Sequence, residues 1–265
     1  MYSSSQIKYE RKDKINPGLY IVSTPIGNLE DITLRAIKVL KNSDYILCED
    51  TRHSLKLLSY HNINGKLISY HKYNERKITN KIMDLLNKSK VISLISDAGT
   101  PIISDPGFTL INSCIEKKIK IIPIPGASAV TSAVSVSGFE DKYLFYGFLP
   151  KTEGKTNKVL KLLSNIDYSI VFFIPSKKIN FFLNKFKEYF LNRKIFIAKE
   201  MTKIYETLIW NKVESIKSFS TSFKGELTVI LSKKGDNQNI KNEINENIKF
   251  EIKKMLKKYS HKDVV

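Results

Sequence analysis

Three short runs in this sequence combine glycine, proline and polar residues in patterns that could hold a small ligand. The first is Thr24-Pro25-Ile26-Gly27-Asn28-Leu29. Pro25 stiffens a turn and Gly27 lets a ligand or another backbone come close. The run is not GxGxxG, so it does not predict a dinucleotide site. The second is Ser96-Asp97-Ala98-Gly99-Thr100-Pro101, continued by Ile102-Ile103-Ser104-Asp105-Pro106-Gly107. Its two Asp, two Gly and two Pro within eleven residues exceed what a plain connector needs. A carboxylate such as Asp97 can accept from a ligand hydroxyl or amine. The third is Pro123-Ile124-Pro125-Gly126-Ala127-Ser128-Ala129, where small residues open a helix whose first N–H groups lack partners. Each run alone also suits a purely structural turn.

Polar clusters add groups that move protons or hold phosphate. They are Glu49-Asp50-Thr51-Arg52-His53, then His71, Asn74 and Glu75, and finally Lys199-Glu200-Met201-Thr202-Lys203 with Glu206. A Glu-Asp-Thr-Arg run also serves as an ordinary helix start, where acids suit the dipole.

These residues need elements to position them. Leu19–Ser23, Tyr45–Cys48, Val91–Ile95 and Lys120–Ile124 read as short buried strands. Between them, Ile32, Ala36, Ile37 and Leu40 recur at helical spacing with Asp31 as cap. Ile78, Ile82, Leu85 and Leu86 mark a second helix, and Phe108, Ile111, Cys114 and Ile115 a third. Alternation of this kind predicts an α/β domain on a largely parallel sheet. In such sheets ligands lie beyond the carboxyl ends of the strands, where the three glycine-containing runs fall. The pattern resets near Gly138. Tyr143–Phe148, Ile170–Ile174, Lys194–Ala198, Glu206–Trp210 and Leu227–Leu231 are strand candidates of a second unit, with helices over Val159–Leu163 and Phe181–Phe190. The expected organisation is a flexible arm over 1–16, α/β domains over 17–140 and 141–234, and a Lys-rich helical tail over 235–265.

Composition narrows the partners. The 265 residues carry 44 Lys+Arg against 26 Asp+Glu, a formal charge of +18. That excess favours a polyanion through counterion release. Five of the cations are Arg (Arg11, Arg35, Arg52, Arg76, Arg193) and the rest Lys, so compositional drift explains the charge equally well. Cys48 and Cys114 form no CxxC pair, and His53, His61, His71 and His261 no HxxxH pair. The expectation is a reducing, cytoplasmic setting with no metal site and no disulfide. The polar N-terminus does not read as a signal peptide, and the uncharged stretch 121–139 reads as too rich in Pro, Gly and Ser for a membrane span.

Together the motifs closely resemble the bacterial small-subunit ribosomal RNA 2′-O-methyltransferase I group of the tetrapyrrole-methylase superfamily. The matching stretches are TPIGNLEDITLRA from Thr24, CEDTRHS from Cys48, SYHKYNE from Ser69, SDAGTPIISDPG from Ser96, PGASA from Pro125, GFLP from Gly147, KEMTKIYE from Lys199 and KGE from Lys224. The resemblance spans about residues 18–232. It implies two α/β domains of the tetrapyrrole-methylase type with the cofactor cleft between them, and S-adenosylmethionine as cofactor. It also implies a homodimer acting on a cytidine 2′-hydroxyl in the decoding region of 16S rRNA in the small ribosomal subunit, with no DNA and no membrane. Carried over by motif, Pro25, Gly27, Asn28, Asp97, Ala98, Gly99, Ile102, Ser128 and Ala129 line the donor, and Phe148 with backbone around Ile174 and Gly225 closes the pocket. Arg52, His71, Asn74, Glu75, Lys151 and Lys155 are the expected RNA contacts.

Two stretches depart from the family pattern. Phe173-Ile174-Pro175-Ser176-Lys177-Lys178 lacks a carboxylate and an Arg that relatives carry, and Lys151-Thr152-Glu153-Gly154-Lys155 has Lys where relatives also use Arg. Candidate proton acceptors are Glu49, Asp50, His71, Glu75, Glu200 and Lys203. The Asp50/Arg52 and Glu200/Lys203 clusters are the favoured catalytic groups. Two other activities compete: methylation of a corrin or porphyrin precursor, and non-catalytic binding of ribosomal RNA during assembly.

Overall fold

The computed structural model describes residues 15–220 and 225–235. Most of the expected arm, nearly all of the expected tail, and Lys224 lie outside the described residues. The described chain holds ten strands: β1 (Gly18–Val22), β2 (Tyr45–Cys48), β3 (Leu67–Ser69), β4 (Val91–Leu94), β5 (Ile121–Ile124), β6 (Tyr143–Phe148), β7 (Ser169–Pro175), β8 (Lys194–Lys199), β9 (Thr207–Lys212) and β10 (Glu226–Leu231). Seven helices join them: α1 (Leu34–Lys41), α2 (Thr51–Tyr60), α3 (Glu75–Asn87), α4 (Phe108–Glu116), α5 (Ala129–Ser137), α6 (Glu153–Leu163) and α7 (Ile179–Tyr189).

The first sheet has the order β3-β2-β4-β1-β5, and every neighbouring pair is parallel. Period-two alternation divides its residues between two faces. Leu19, Ile21, Leu47, Ile92 and Leu94 pack with Ile82, Met83 and Leu86 of α3 and with Leu110 and Cys114 of α4. Tyr20, Val22, Ile46 and Cys48 form the other face, with Ala36, Val39 and Leu40 of α1 and Leu58 of α2. A sheet covered on both faces needs strands apolar throughout, which is how GLYIV and VISL read. The cap of α1 is Thr33, whose hydroxyl accepts from the Ala36 N–H at 3.1 Å, and not Asp31. Asp31 donates its own N–H to the Asn28 carbonyl in the preceding turn.

The second sheet has the order β6-β7-β10-β8-β9, with β6 parallel and β10 antiparallel to β7. Its core joins Ile170, Phe172 and Ile174 to Leu160 and Leu163 of α6, Phe182 and Phe186 of α7, and Leu227, Val229 and Leu231 of β10. Arg193 is buried there, donating to the carbonyls of Tyr168, Ser232, Ser164 and Ile166 and lying over the Phe190 ring. A guanidinium with its donors engaged is tolerated without a carboxylate partner because four carbonyl dipoles replace its hydration.

The division between the units differs from the expected one. The described residues up to Val136 group with Ala198–Thr207, and Ser137–Ile197 groups with the described residues from Leu208 onward. The segment 198–207, expected inside the second α/β domain, therefore belongs with the first sheet. The physical reason is its contact with the loop after β1, described next.

Candidate functional site

Loops leaving the carboxyl ends of β1, β4 and β5 are fastened together. Thr24 and Gly99 form a two-way antiparallel bridge, Thr24 N–H to Gly99 O at 2.8 Å and Gly99 N–H to Thr24 O at 3.0 Å. The Thr24 hydroxyl donates to Ser96 O at 3.0 Å, and the Ser96 hydroxyl to Gly99 O at 3.1 Å. Ser23 and Thr100 hydroxyls meet at 3.0 Å, and Thr100 donates onward to Ala127 O at 3.3 Å. Small residues make this possible. A Cβ on Gly126 would lie 2.9 Å from Ser23 Cβ, and Gly99 adopts φ +79°, where a side chain is strained. The expected donor-binding segments around Pro25, Ala98 and Ala127 are thus one contiguous structure. Pro25 is buried beneath it, while Gly27, Asn28, Ala98 and Gly126 are exposed. Ser128 acts as a helix cap: its hydroxyl faces the Thr131 N–H at 3.5 Å, ahead of Ala129 at the start of α5.

A fourth loop, 200–206, completes this edge. Thr202 Oγ1 accepts from Asn28 N–H at 3.0 Å, and the Asn28 side chain accepts from Glu30 N–H at 3.1 Å. A Cβ on Gly27 would come within 2.6 Å of Met201 O and Thr202 Oγ1 and 2.7 Å of Lys203 Cγ. Gly27 is therefore required by a protein–protein approach, whatever it also offers a ligand. Within the loop, Glu206 accepts from Thr202 N–H at 2.7 Å, and Glu200 stands 4.0 Å from Lys199 Nζ. Lys203 is exposed. Glu200 and Lys203 are thus brought to the loop containing Gly27 and Asn28.

Among the described residues, four of the eight non-glycine residues with positive φ lie on these loops. Ile102 has φ +75°, Ser104 +73°, Glu200 +50° and Thr202 +66°. For β-branched Ile102 and Thr202 this region costs about 1–3 kcal/mol each, and the surrounding structure must enforce it.

The groups following β2 and β3 have more specific duties than their residue types announce. Asp50 caps α2, accepting Arg52 N–H at 2.9 Å, and also receives Arg52 Nε at 3.2 Å and Nη2 at 2.9 Å. These Arg52 bonds hold its carboxyl down to about 2, so it is a weak proton acceptor at neutral pH. The Arg52 guanidinium stays 89% exposed in this pair and keeps donors free for a phosphate. Glu75 accepts the Thr109 N–H at 2.8 Å, which satisfies an otherwise orphan donor in the first turn of α4. Asn74 braces its own loop through His71 N–H at 2.8 Å and Ser69 O at 3.0 Å. His71 Nδ1 accepts the Tyr73 N–H at 3.3 Å. Asn74 and Glu75, expected to touch RNA, thus have their side chains engaged within the protein. Between these groups, Asp50 N–H donates to Asp97 Oδ1 at 3.3 Å, which joins the β2 and β4 loops.

In the second unit, Phe148 is 39% exposed and its ring lies 5.4 Å from Phe173. Ile174 is fully buried in the core of the second sheet and is paired in register with Leu227 of β10. Gly225, at φ +79°, accepts the Ser176 N–H at 3.0 Å. Lys151 and Lys155 are exposed at the start of α6. Sequence reasoning missed the stitching hydroxyls of Ser23, Thr24, Ser96, Thr100 and Thr202. The available signal was a Ser or Thr within a few residues of glycine at each strand end. Among the described residues no three His, Cys, Asp or Glu converge as a metal site, and no helix is long and apolar enough to cross a membrane.

Comparison with known proteins decides the family. Residues 18–217 match the model of the Tetrapyrrole (Corrin/Porphyrin) Methylases. The Ribosomal RNA small subunit methyltransferase I of Rickettsia prowazekii is 42% identical over 91% of this chain and 88% of its own length. This chain belongs to the tetrapyrrole methylases, in their ribosomal RNA small subunit methyltransferase I group. The Thermotoga maritima protein of the same name is 43% identical over 82% of this chain and 98% of its own. Solved tetrapyrrole methylases share the fold at far lower identity. The methyltransferase CobJ superposes with a TM-score of 0.63 at 13% identity, covering 82% of this chain and 94% of its own. Uroporphyrin-III C-methyltransferase of Thermus thermophilus, solved with S-adenosyl homocysteine, gives 0.58 at 15%, covering 81% and 97%.

Proposed function

We propose that this tetrapyrrole methylase transfers a methyl group from S-adenosylmethionine to the ribose 2′-hydroxyl of a cytidine in the decoding region of 16S rRNA. Identity above 40% to proteins named ribosomal RNA small subunit methyltransferase I, across most of both chains, carries this reading. Likeness to the methyltransferase CobJ and to uroporphyrin-III C-methyltransferase, at 13–15% identity, supports only the fold.

The residues fit such a donor. Small residues at Ala98, Gly126, Ala127 and Ala129 leave one sheet edge open, with Gly99 buried in its bridge to Thr24, and the Asp97 carboxylate accepts only the Asp50 N–H among the described residues. Bound there, the cofactor supplies an activated methyl on a sulfonium. Pro25, Gly27, Asn28, Asp97, Ala98, Gly99, Ile102, Ser128 and Ala129 hold it, and Phe148, Ile174 and Gly225 enter the proposal on the family resemblance alone. The protein's part is to align the nucleophile and remove its proton. Alignment can supply roughly 7–11 kcal/mol. Arg52, His71, Lys151, Lys155 and Lys203 present cationic or donor groups for the RNA backbone, the lysines as point charges without the bidentate fork of Arg. The working form is a homodimer.

Mass spectrometry of ribosomal RNA nucleosides from cells with and without the gene tests the proposal. Loss of one 2′-O-methylcytidine is expected. Unchanged nucleosides, or methyl transfer by the purified protein to a porphyrinogen and not to rRNA, would overturn it.

A further inference from the structure

We infer that Glu49 is the group that takes the proton from the attacking hydroxyl; this rests on the methyltransferase reading above. The argument starts from how its backbone is held. Cys48, the last residue of β2, is paired in register with Ser69 of β3, and its carbonyl accepts Tyr70 N–H at 2.8 Å. The Glu49 carbonyl faces the Ser69 hydroxyl at 3.5 Å, and the next N–H, from Asp50, goes to Asp97 Oδ1. The main chain at Glu49 is thus fixed by the ends of β2, β3 and β4. Its carboxylate, in contrast, receives no hydrogen bond from any described residue.

Every other candidate is engaged or chemically unsuited. Asp50 is paired with Arg52 and caps α2. Glu75 caps α4, and Glu206 holds the Thr202 N–H. Glu200 also receives no hydrogen bond from a described residue, but it stands 4.0 Å from Lys199 Nζ and is paired with that cation. His71 uses Nδ1 as an acceptor for Tyr73, so the proton of its neutral ring resides on Nε2, which can then only donate. Lys203 as an ammonium has no lone pair to accept with.

The surroundings also tune Glu49 for the task. Glu49 is exposed, and the limited burial of its carboxyl pushes it above the usual range, the Asp97 carboxylate pushes the same way, and His71 acts in the opposite direction. Asp97 from the β4 loop and His71 from the β3 loop are the titratable groups that act on it. A carboxylate whose carboxyl is raised accepts a proton more readily than an ordinary glutamate. In the step, the ribose oxygen forms a bond to the methyl carbon as the carbon–sulfur bond breaks. The electron pair of that bond leaves on the neutral thioether sulfur. The hydroxyl proton passes to the Glu49 carboxylate and then to solvent.

Glu49→Gln tests this, with Glu49→Asp beside it. Calorimetry with S-adenosylmethionine should give wild-type affinity for both variants, which certifies folded protein and an intact donor site. Single-turnover methylation of small-subunit RNA should fall about 10²–10⁴-fold in the Gln variant and less in the Asp variant. The wild-type rate should rise with pH through an acid limb above the usual glutamate range, and the Gln variant should lose that limb. Titration of the donor-free protein by carboxyl ¹³C resonances should show two raised glutamates, Glu49 and Glu226, and Glu49→Gln should lose one of them. A Gln variant with the wild-type rate and acid limb would overturn the assignment of Glu49 while leaving the methyltransferase reading intact. Wild-type protein that binds no donor would overturn both.

Discussion

Replacing Gly27 by Ala isolates the contact that draws the 200–206 loop onto the first sheet. Gly27 does not occupy the left-handed region, so an alanine there suffers no backbone strain and any cost is steric. The added Cβ would sit 2.6 Å from Met201 O and Thr202 Oγ1. Restoring ordinary contact at roughly 3.5 Å requires a retreat of about 0.9 Å. That retreat stretches the 3.0 Å bond from Asn28 N–H to Thr202 Oγ1 beyond useful range. Overpacking costs about 1–3 kcal/mol and the lost hydrogen bond about 0.5–1.5 kcal/mol, so a loss of about 1.5–4.5 kcal/mol is expected. Urea denaturation followed by circular dichroism measures it. In a Thr202→Ala background the loss should shrink without vanishing, because Met201 O is backbone and cannot be trimmed away. Gly154→Ala is the control: nothing lies within 4 Å of its Cβ position, and it sits in the first turn of α6. It should raise stability by about 0.4–1 kcal/mol. A Gly27→Ala protein as stable as wild type would refute the steric reasoning. One that is destabilised yet keeps full donor affinity would retain the loop contact and remove Gly27 from the donor site.

Four further outcomes are expected. Asp97→Ala should lose donor affinity by calorimetry with the fold intact by circular dichroism; retained affinity would remove Asp97 from the pocket. Glu75→Ala should destabilise the protein by about 1–2 kcal/mol in urea through loss of the α4 cap, with Glu75→Gln milder. Cys48 and Cys114 are buried and burial pushes both thiols up, Cys114 to about 11, so native protein should resist a thiol-disulfide reagent that reacts fully in denaturant. The Asp50 carboxyl falls from near 4 to about 2 on folding, so its contribution is full above about pH 4 and fades as pH drops toward 2. The stability gap between wild type and Asp50→Ala should therefore narrow over that acid window.

The first sheet was readable because β1 and β4 are short, apolar runs ended by Gly/Pro loops, and Tyr45–Cys48 has the same limits in sequence and structure. The assembly of loops at the ends of β1, β4 and β5 was half readable. Glycine and proline marked where loops leave the strands, but nothing local announced that Thr24 pairs with Gly99 across 75 positions. The 198–207 segment was unreadable for a related reason. Its affiliation with the first unit depends on the missing side chain of Gly27 and on Thr202 meeting Asn28. Contacts between such distant residues leave no periodicity.

The polar clusters illustrate why residue type underdetermines role. A strand-end loop exposes backbone donors that must be satisfied, and the nearest carboxylates and amides are recruited first. Asp50, Asn74, Glu75 and Glu206 all answer to that demand, each on a specific N–H. For Asp50 the bonds from Arg52 stabilise the charged carboxylate and lower its basicity, which is the reverse of what proton abstraction needs. In a family site of this kind, the base is therefore best sought among acids that the scaffold leaves unbonded and places beside another negative charge. Applied to the clusters at this sheet edge, that criterion passes over the conspicuous Asp50/Arg52 pair and selects its neighbour Glu49.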